Sequence, residues 1–379
     1  MKPVSTTTSA SLFQKRAMQL LAKCDITVNG NAPEDIQIHD TSIFQDVFLK
    51  GSLGLGDGYV QGKWDAKRLD LFFEKVISAQ ATFEPNITDA IFNLRNILFN
   101  TQIGQRAFQV GHEHYDLGNA MFENMLGESM GYSCGMFNRS TDSLDQAQYN
   151  KFDALCKKLS LKKGMKVLEI GAGWGTFARH ATKHYGVQVV GLTISKEQKA
   201  FAEKRCAGLP VQFLLKDYQK LEARYTKYFD RVVSIEMIEA VGRKNFEKYF
   251  STVARALKKG GLFGLQAIIG SGKADAFIST RIFPNGLVPS AQDILNYSRN
   301  VLRLTQWQSF GKDYDKTLMA WEANFTKNWK HISALKNADG KLLYDQSFYR
   351  LWRYYLLSCA ATFRTGMNDD AQIIMAKLH

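Results

Sequence analysis

Long apolar runs are missing from this 379-residue chain: no stretch of about 18 apolar residues occurs, which excludes an ordinary membrane-spanning helix. The opening Met1-Lys2-Pro3-Val4-Ser5-Thr6-Thr7-Thr8 lacks the apolar core of a secretory signal, so the expected compartment is the cytosol. Cysteine is scarce. Cys24, Cys134, Cys156, Cys206 and Cys359 are odd in number and widely spaced, with no CxxC pair and no His/Cys cluster. That pattern argues against a disulfide framework and a zinc site, and the thiols are expected to be free. Helix-turn-helix, zinc-finger and RNP signatures are absent as well. Acidic residues fall short of basic ones, 36 against 49, leaving a net charge of +13. The basic residues are scattered rather than gathered into one arm, which speaks against nucleic acid. An anionic membrane and a merely solvated surface remain as uses for the excess.

Apolar residues make up 45% of the chain, enough for the core of one large domain or two ordinary ones. Lys166 to Thr176 reads Lys-Val-Leu-Glu-Ile-Gly-Ala-Gly-Trp-Gly-Thr. Val167, Leu168 and Ile170 suit a strand buried on both faces, and Gly171, Gly173 and Gly175 turn that strand into a helix beginning near Thr176. Side chains at those glycines would block a nucleoside or amino-acid group, while the N–H groups opening the helix favour a carboxylate. Glu169 falls near the strand end, where it attracts a cationic or amine group. The spacing differs from the G-x-G-x-x-G dinucleotide fingerprint. On these residues alone, nucleotide-type binding and a plain tight turn both stay open.

Ser11 to Lys23 carries an amphipathic helix pattern, which serves either core packing or a membrane face. Gly51 to Trp64 is richer in glycine than the central loop, but no buried-strand run precedes it and no clear helix follows. It reads as a bent, close-packed segment of a small N-terminal domain. Residues 65 to 105 look helical, and Asn100 to Gln105 is a linker candidate. The histidines of Gly111-His-Glu-His-Tyr-Asp-Leu-Gly-Asn119 make a poor metal motif, so no metal is expected. Gly131 to Phe137 is a pocket wall or an ordinary loop.

From Lys166 onward strands and helices alternate: Val167–Ile170, a helix over 176–185, Val187–Leu192, a helix over 196–206, Val211–Leu215, Arg231–Ile235, a helix over 245–258, and Leu262–Ile269. This predicts an α/β fold with a doubly wound, mainly parallel sheet, its ligand beyond the C-terminal strand ends. Glu169, the glycine loop, Thr193, Ser195, Asp217, Glu236 to Glu239 and Gln266 to Ile268 fall there. The tail reads as helical and aromatic, with Cys359 buried in a packed helix.

Together, Gly51-Ser-Leu-Gly-Leu-Gly56, His114-Tyr-Asp-Leu-Gly-Asn119, Tyr132-Ser-Cys134, Val167 to Gly175, Gly191-Leu-Thr-Ile-Ser195, Ile282-Phe-Pro-Asn-Gly286 and Phe310-Gly-Lys-Asp-Tyr-Asp315 are specific where none is alone. The chain resembles the cyclopropane-fatty-acyl-phospholipid synthases over nearly its whole length. The resemblance implies a class I, Rossmann-like, S-adenosylmethionine-dependent methyltransferase domain over 105–379. A smaller, mostly helical N-terminal domain over 1–104 would make lipid, membrane or dimer contacts. It further implies transfer of a methylene equivalent to unsaturated phospholipid acyl chains by an enzyme held at the inner face of the membrane. A homodimer, a relative making a methyl-branched chain and a non-catalytic lipid-binding relative remain open.

Carried over residue by residue, Tyr132, Ser133, Glu169, Gly171, Gly173, Trp174 and Gly175 would hold the methionine end. Thr193 stands where related methyltransferases have a ribose-binding acid; Gln198 would bond the hydroxyls, and Asp217 with Tyr218 the adenine. An alkene is a poor nucleophile, so the methyl must be held close with water excluded, and Tyr132 and Phe137 are candidate faces for the developing cation. The family is understood to remove the last proton with bound bicarbonate. Its holders correspond here to Glu239, Gln266, Tyr314 and backbone groups at Cys134 and Ile268. Gln266 stands in place of a histidine, as does Ala240. Glutamine bonds an oxyanion but cannot titrate. Cys359 matches a C-terminal cysteine credited with activity, although apolar neighbours should leave its pKa undepressed.

Overall fold

The computed structural model describes residues 7–80, 118–271, 275–284, 286–337 and 339–378. The expected helix beyond Gln80, the linker at 100–105 and the histidines at 112 and 114 lie outside the described residues.

The chain opens with α1 (Thr7–Lys23), β1 (Gln37–Ile38), α2 (Ile43–Lys50), α3 (Ser52–Val60), β2 (Trp64–Asp65) and α4 (Leu69–Gln80). The glycine-rich stretch is therefore a helix where a bent segment was expected. Its glycines explain why: a Cβ on Gly54 would lie 2.2 Å from the Asp46 carbonyl oxygen, and one on Gly56 would lie 2.1 Å from the Phe277 ring. Low helix propensity is overridden because bare backbone lets α3 pack against α2 and against the catalytic half of the chain.

Next come α5 (Asn119–Leu126), α6 (Leu144–Lys158), β3 (Lys166–Ile170), α7 (Thr176–Tyr185), β4 (Gln188–Thr193), α8 (Lys196–Arg205), β5 (Val211–Leu215), β6 (Phe229–Ile235), α9 (Phe246–Ala256) and β7 (Leu257–Ile269). Caps set several starts: the Ser143 hydroxyl accepts from the Gln146 N–H, and the Ser195 hydroxyl from the Gln198 N–H. The seven-stranded sheet runs β5-β4-β3-β6-β7-β9-β8. Its first five strands are parallel, and the order reverses beside β3, so the ends of β3, β4 and β6 frame one crevice.

The tail departs from the expected all-helical reading. After α10 (Ala291–Ser298) comes β8 (Leu302–Ser309), then α11 (Lys312–Lys327), α12 (Gln346–Arg364) and β9 (Asp369–Lys377). β9 inserts antiparallel between β7 and β8. Strand β8 hid because it is an exposed polar edge, and β9 because its apolar run is short and opens with two aspartates.

Buried clusters cover both faces of the sheet, one around Val232, Phe250 and Phe263, the other around Phe177, Val189 and Phe213. A third runs from Trp64 and Phe72 of the N-terminal segment into Phe277, Trp321 and Tyr354. Arg364 crosses the same junction, bonding Asp70 at 3.0 Å, Glu74 at 2.9 Å and Asp315 at 2.9 Å. The N-terminal helices and the catalytic half thus share one core.

Candidate active site

The crevice is a cleft lined by every residue assigned to the cofactor except Gly175. Strand β3 delivers Glu169 to its floor, 3% exposed, with Oε2 buried and lacking a hydrogen-bond partner among the described residues. Burial holds its carboxyl well above the usual range. A cationic ligand group would reverse that penalty. The loop then turns through left-handed backbone, with φ +85° at Gly171 and +51° at Gly173. The Gly171 and Ala172 N–H groups donate to the Leu192 carbonyl, pinning the loop to β4. Among the described residues, a Cβ on Gly173 would meet no atom within 4 Å, so this position is open. Gly175 does something else: a Cβ there would sit 2.9 Å from Phe213 and 3.0 Å from Ala202. Its bareness lets α7 start against α8 and β5, which is a packing role and not the ligand contact expected.

Around the rim, the Trp174 indole N–H donates to Asn119 Oδ1 at 2.8 Å, and the Tyr132 and Tyr355 hydroxyls meet at 3.0 Å. Thr193 ends β4 with its hydroxyl 3.1 Å from Gln198 Oε1. Asp217 accepts from the Gln219 N–H at 2.9 Å, while the neighbouring Tyr218 hydroxyl is buried and without a partner. Unpartnered acid and hydroxyl, bare glycine backbone and an acceptor pair at the end of β4 fit S-adenosylmethionine. Phe137 does not line this cleft; its ring lies under Lys316.

The five groups assigned to bicarbonate do not converge on one external anion. Three of them close on Glu236, a residue the sequence reading had put at the strand end without a role. Glu236 Oε1 accepts from the Cys134 N–H at 2.8 Å and from Gln266 Nε2 at 2.9 Å, and Oε2 accepts from the Tyr314 hydroxyl at 2.6 Å. The fourth, the Ile268 N–H, donates to Glu239 Oε1 at 2.7 Å. Glu239, the expected holder of the anion, is an occupant of a donor itself. Bicarbonate does not fit this arrangement: the donors expected to hold it are already spent on Glu236 and Glu239, and a further anion would stand beside the Glu236 carboxylate.

Glu236 follows the last residue of β6 at φ +46°, a left-handed conformation that costs a non-glycine residue about 1–2 kcal/mol. Three hydrogen bonds to the charged oxygens offset that strain. Burial raises its pKa, opposed by Lys151, Tyr314, the Cys134 N–H and Gln266. Lys151 of α6 is fully buried, with Nζ bonded to Ser133 Oγ at 2.5 Å and Gln148 Oε1 at 2.6 Å, and burial lowers it to about 8. Burial and then the Glu236 charge push Glu239 to about 8, and raise Asp370 well above an ordinary aspartate.

Gln266 is fully buried and held in one orientation. Lys158 Nζ donates to Gln372 Oε1 at 2.6 Å, which turns Gln372 Nε2 toward Gln266 Oε1 at 3.3 Å. The Gln266 amide N–H groups therefore face Glu236 and Asp370 Oδ2, each at 2.9 Å. Sequence reasoning missed Glu236, Lys151, Asp370 and Gln372. One signal was present, an extra glutamate leaving one strand beside a glutamine on the next, since Ile235 pairs with Gln266 across β6 and β7.

Cys134 contributes its backbone; its thiol donates to the Gly135 carbonyl and is pushed well up by burial. Cys359 is half-buried on α12, away from the cleft lining, its thiol pushed up to about 12 by burial, so the structure gives it no activated thiolate. Ala240 lines the cleft as a small apolar wall.

Comparison with known proteins agrees with this geometry. The family model described as mycolic acid cyclopropane synthetase matches residues 102–373. The chain is 44% identical to the cyclopropane-fatty-acyl-phospholipid synthase of Escherichia coli K12 over 367 residues, 95% of this chain and 92% of that one. It is 32% identical to the tuberculostearic acid methyltransferase UfaA1 of Mycobacterium tuberculosis, covering 85% of this chain and 78% of that one. Among solved structures, the mycolic acid cyclopropane synthase CmaA1 complexed with SAH and CTAB superposes with a TM-score of 0.65 at 31% identity, over 71% of this chain and 98% of that one. Coclaurine N-methyltransferase bound to N-methylheliamine and SAH shares the fold, with a TM-score of 0.70 at 21% identity over 86% of this chain and 99% of that one. The chain belongs to the mycolic acid cyclopropane synthetase family.

Proposed function

We propose that this chain is an S-adenosylmethionine-dependent methyltransferase that converts the double bond of unsaturated phospholipid acyl chains into a cyclopropane ring. The observation that carries it is the placement of Glu236, a hydrogen-bonded carboxylate, in the lining of the cleft that the glycine loop forms. When bound, the cofactor supplies an electrophilic methyl group. Glu169 balances its positive charge, the bare backbone at Gly173 admits it, and Thr193, Gln198 and Asp217 take its hydroxyl and amine ends. Tyr132 and Trp174, packed at 6.4 Å between ring centroids, shield the reacting carbons from water and offer an aromatic face to developing positive charge.

Access to phospholipid requires a peripheral membrane surface. Among the described residues, no helix is long and apolar enough to cross a membrane. Phe48 and Leu49 on α2 are 50% and 53% exposed, and the Phe48 ring lies 4.6 Å from Phe13 on α1, which also presents exposed Lys15 and Arg16. Apolar tips flanked by cations suit an anionic bilayer. Vesicle sedimentation should weaken as salt rises, and Phe48→Ser with Leu49→Ser should weaken it further; equal binding to neutral vesicles at all salt concentrations would remove the anionic preference.

The deciding experiment incubates the protein with methyl-labelled S-adenosylmethionine and liposomes of unsaturated phospholipid, followed by mass and ring analysis of the acyl chains. One added methylene with a three-membered ring is expected. A methyl-branched chain would reassign the activity toward that of the tuberculostearic acid relative, and no transfer would leave a lipid-binding protein.

A further inference from the structure

We infer that Glu236 is the proton acceptor of the ring-closing step, a base built into the chain where a bound bicarbonate was expected. The inference rests on the cyclopropanating reading above and deepens it. Once the methyl group is attached to one alkene carbon, the other carbon is cationic. A C–H bond of the new methyl then breaks, its electron pair forms the second C–C bond of the ring, and its proton passes to a Glu236 oxygen. The carboxylate becomes a carboxylic acid, and the positive charge leaves the acyl chain as that proton.

The geometry selects the oxygen. Among the described residues, Oε1 already accepts two N–H groups, from Cys134 and Gln266, whereas Oε2 accepts only the Tyr314 hydroxyl. Oε2 therefore keeps a lone pair, and the Tyr314 hydroxyl, which both donates and accepts, can turn to accept from the protonated acid. Burial raises the pKa of Glu236, and the surrounding groups oppose that rise and favour its charged form. Lys151 supplies the buried positive charge from α6, Tyr314 of α11 and Gln266 of β7 supply donors, and the Cys134 thiol remains neutral. Asp370 on β9 and Glu239 after β6 are raised by burial and then by the Glu236 charge, so the three carboxyls titrate as one coupled group.

A neutral glutamine suits this arrangement better than a histidine would. It donates to a carboxylate without competing for the proton, and the chain from Lys158 through Gln372 fixes which end of the amide faces Glu236. The left-handed backbone at Glu236 is the strained feature that aims the carboxylate, and it also provides a clean test. Glycine adopts φ +46° freely, so Glu236→Gly removes the base and relieves strain at once.

The experiment measures cyclopropane formation in buffer scrubbed of carbon dioxide, with and without added bicarbonate, for wild type, Glu236→Gly and Glu236→Gln. Thermal unfolding and calorimetric affinity for S-adenosylhomocysteine run beside it. Wild type should be indifferent to bicarbonate. Both variants should fold, bind the nucleoside and lose activity on the order of 100-fold or more. Added bicarbonate should restore part of the rate to Glu236→Gly, whose three vacated donors now take a small anion, and none to Glu236→Gln, whose amide still fills the space. A wild type that forms cyclopropane only with bicarbonate, or a variant that keeps its rate without it, would overturn the inference while leaving the activity intact. A folded Glu236→Gly that bicarbonate does not rescue would overturn the donors' assignment as an anion site. A wild type that makes no cyclopropane under any condition would instead defeat the functional reading on which this rests.

Discussion

The cofactor cleft and the Glu236 centre adjoin each other and are built on opposite principles. In the cleft, polar atoms are left without partners among the described residues: Glu169 Oε2 and the Tyr218 hydroxyl are buried and unbonded to them, and a Cβ on Gly173 would meet none of their atoms within 4 Å. Around Glu236 the Cys134 and Ile268 N–H groups, the Gln266 amide and the Tyr314 hydroxyl are all spent on carboxylates. Two oxygens there have no hydrogen-bond partner among the described residues, Glu239 Oε2 and Asp370 Oδ1, on carboxyls whose pKa burial and Glu236 raise. A stranded neutral oxygen costs far less than a stranded charge. The difference teaches that neighbouring sites on one sheet edge can follow opposite rules, one leaving polar atoms open to a cleft and the other bonding them to one another.

The sharpest way to break the contrast is to fill the open position. Gly173→Val should abolish the calorimetric signal for S-adenosylmethionine while lowering thermal stability only slightly, because the new side chain meets no protein atom but must adopt left-handed backbone at a cost of about 1–2 kcal/mol. Retained affinity would place the ligand elsewhere.

A smaller effect is expected on the saturated side. Tyr314→Phe removes the 2.6 Å bond to Glu236 Oε2, which should lower kcat by roughly 10- to 100-fold with little change in KM for the cofactor. Losing a donor to the charged form raises the pKa of Glu236 further, so the acid limb of the rate profile should move to higher pH. The groups facing Glu236 are Lys151, Glu239, Asp370, the Cys134 thiol and Tyr314 itself, and only the last is changed. An unshifted limb would remove Glu236 as the titrating base.

The smallest effect tests the unpaired acid. Glu169 is raised well above the usual range in the folded protein, so the folded state holds its proton more tightly than the unfolded one. Ligand-free stability should therefore fall as pH rises above the unfolded pKa of about 4.3, and continue to fall until the folded pKa is passed. Glu169→Gln should flatten that decline and weaken the cofactor by roughly tenfold, the scale of one charged hydrogen bond. Chemical denaturation from pH 4 to 8 reads the first, calorimetry the second. A variant that binds as tightly as wild type would show that Glu169 faces no cationic group.

What the sequence determined by itself was local. The apolar run Val167 to Ile170, the glycines after it and the Ser195 cap of α8 specify strand, loop and helix within a few residues, because those choices depend on near neighbours and backbone freedom. The alternation that follows specifies a parallel sheet and so the edge at which a ligand is bound. Tertiary structure decided what lies far apart along the chain. Ser52 to Val60 folds as a helix with its bare glycine face packed against Asp46 and against Phe277, the latter more than 200 positions on. Strand β9 is visible only once β7 and β8 offer it a slot. Glu236 acquires its surroundings from Cys134, Gln266 and Tyr314, and hydrogen-bond saturation is a property of distances that a linear order of residues does not contain.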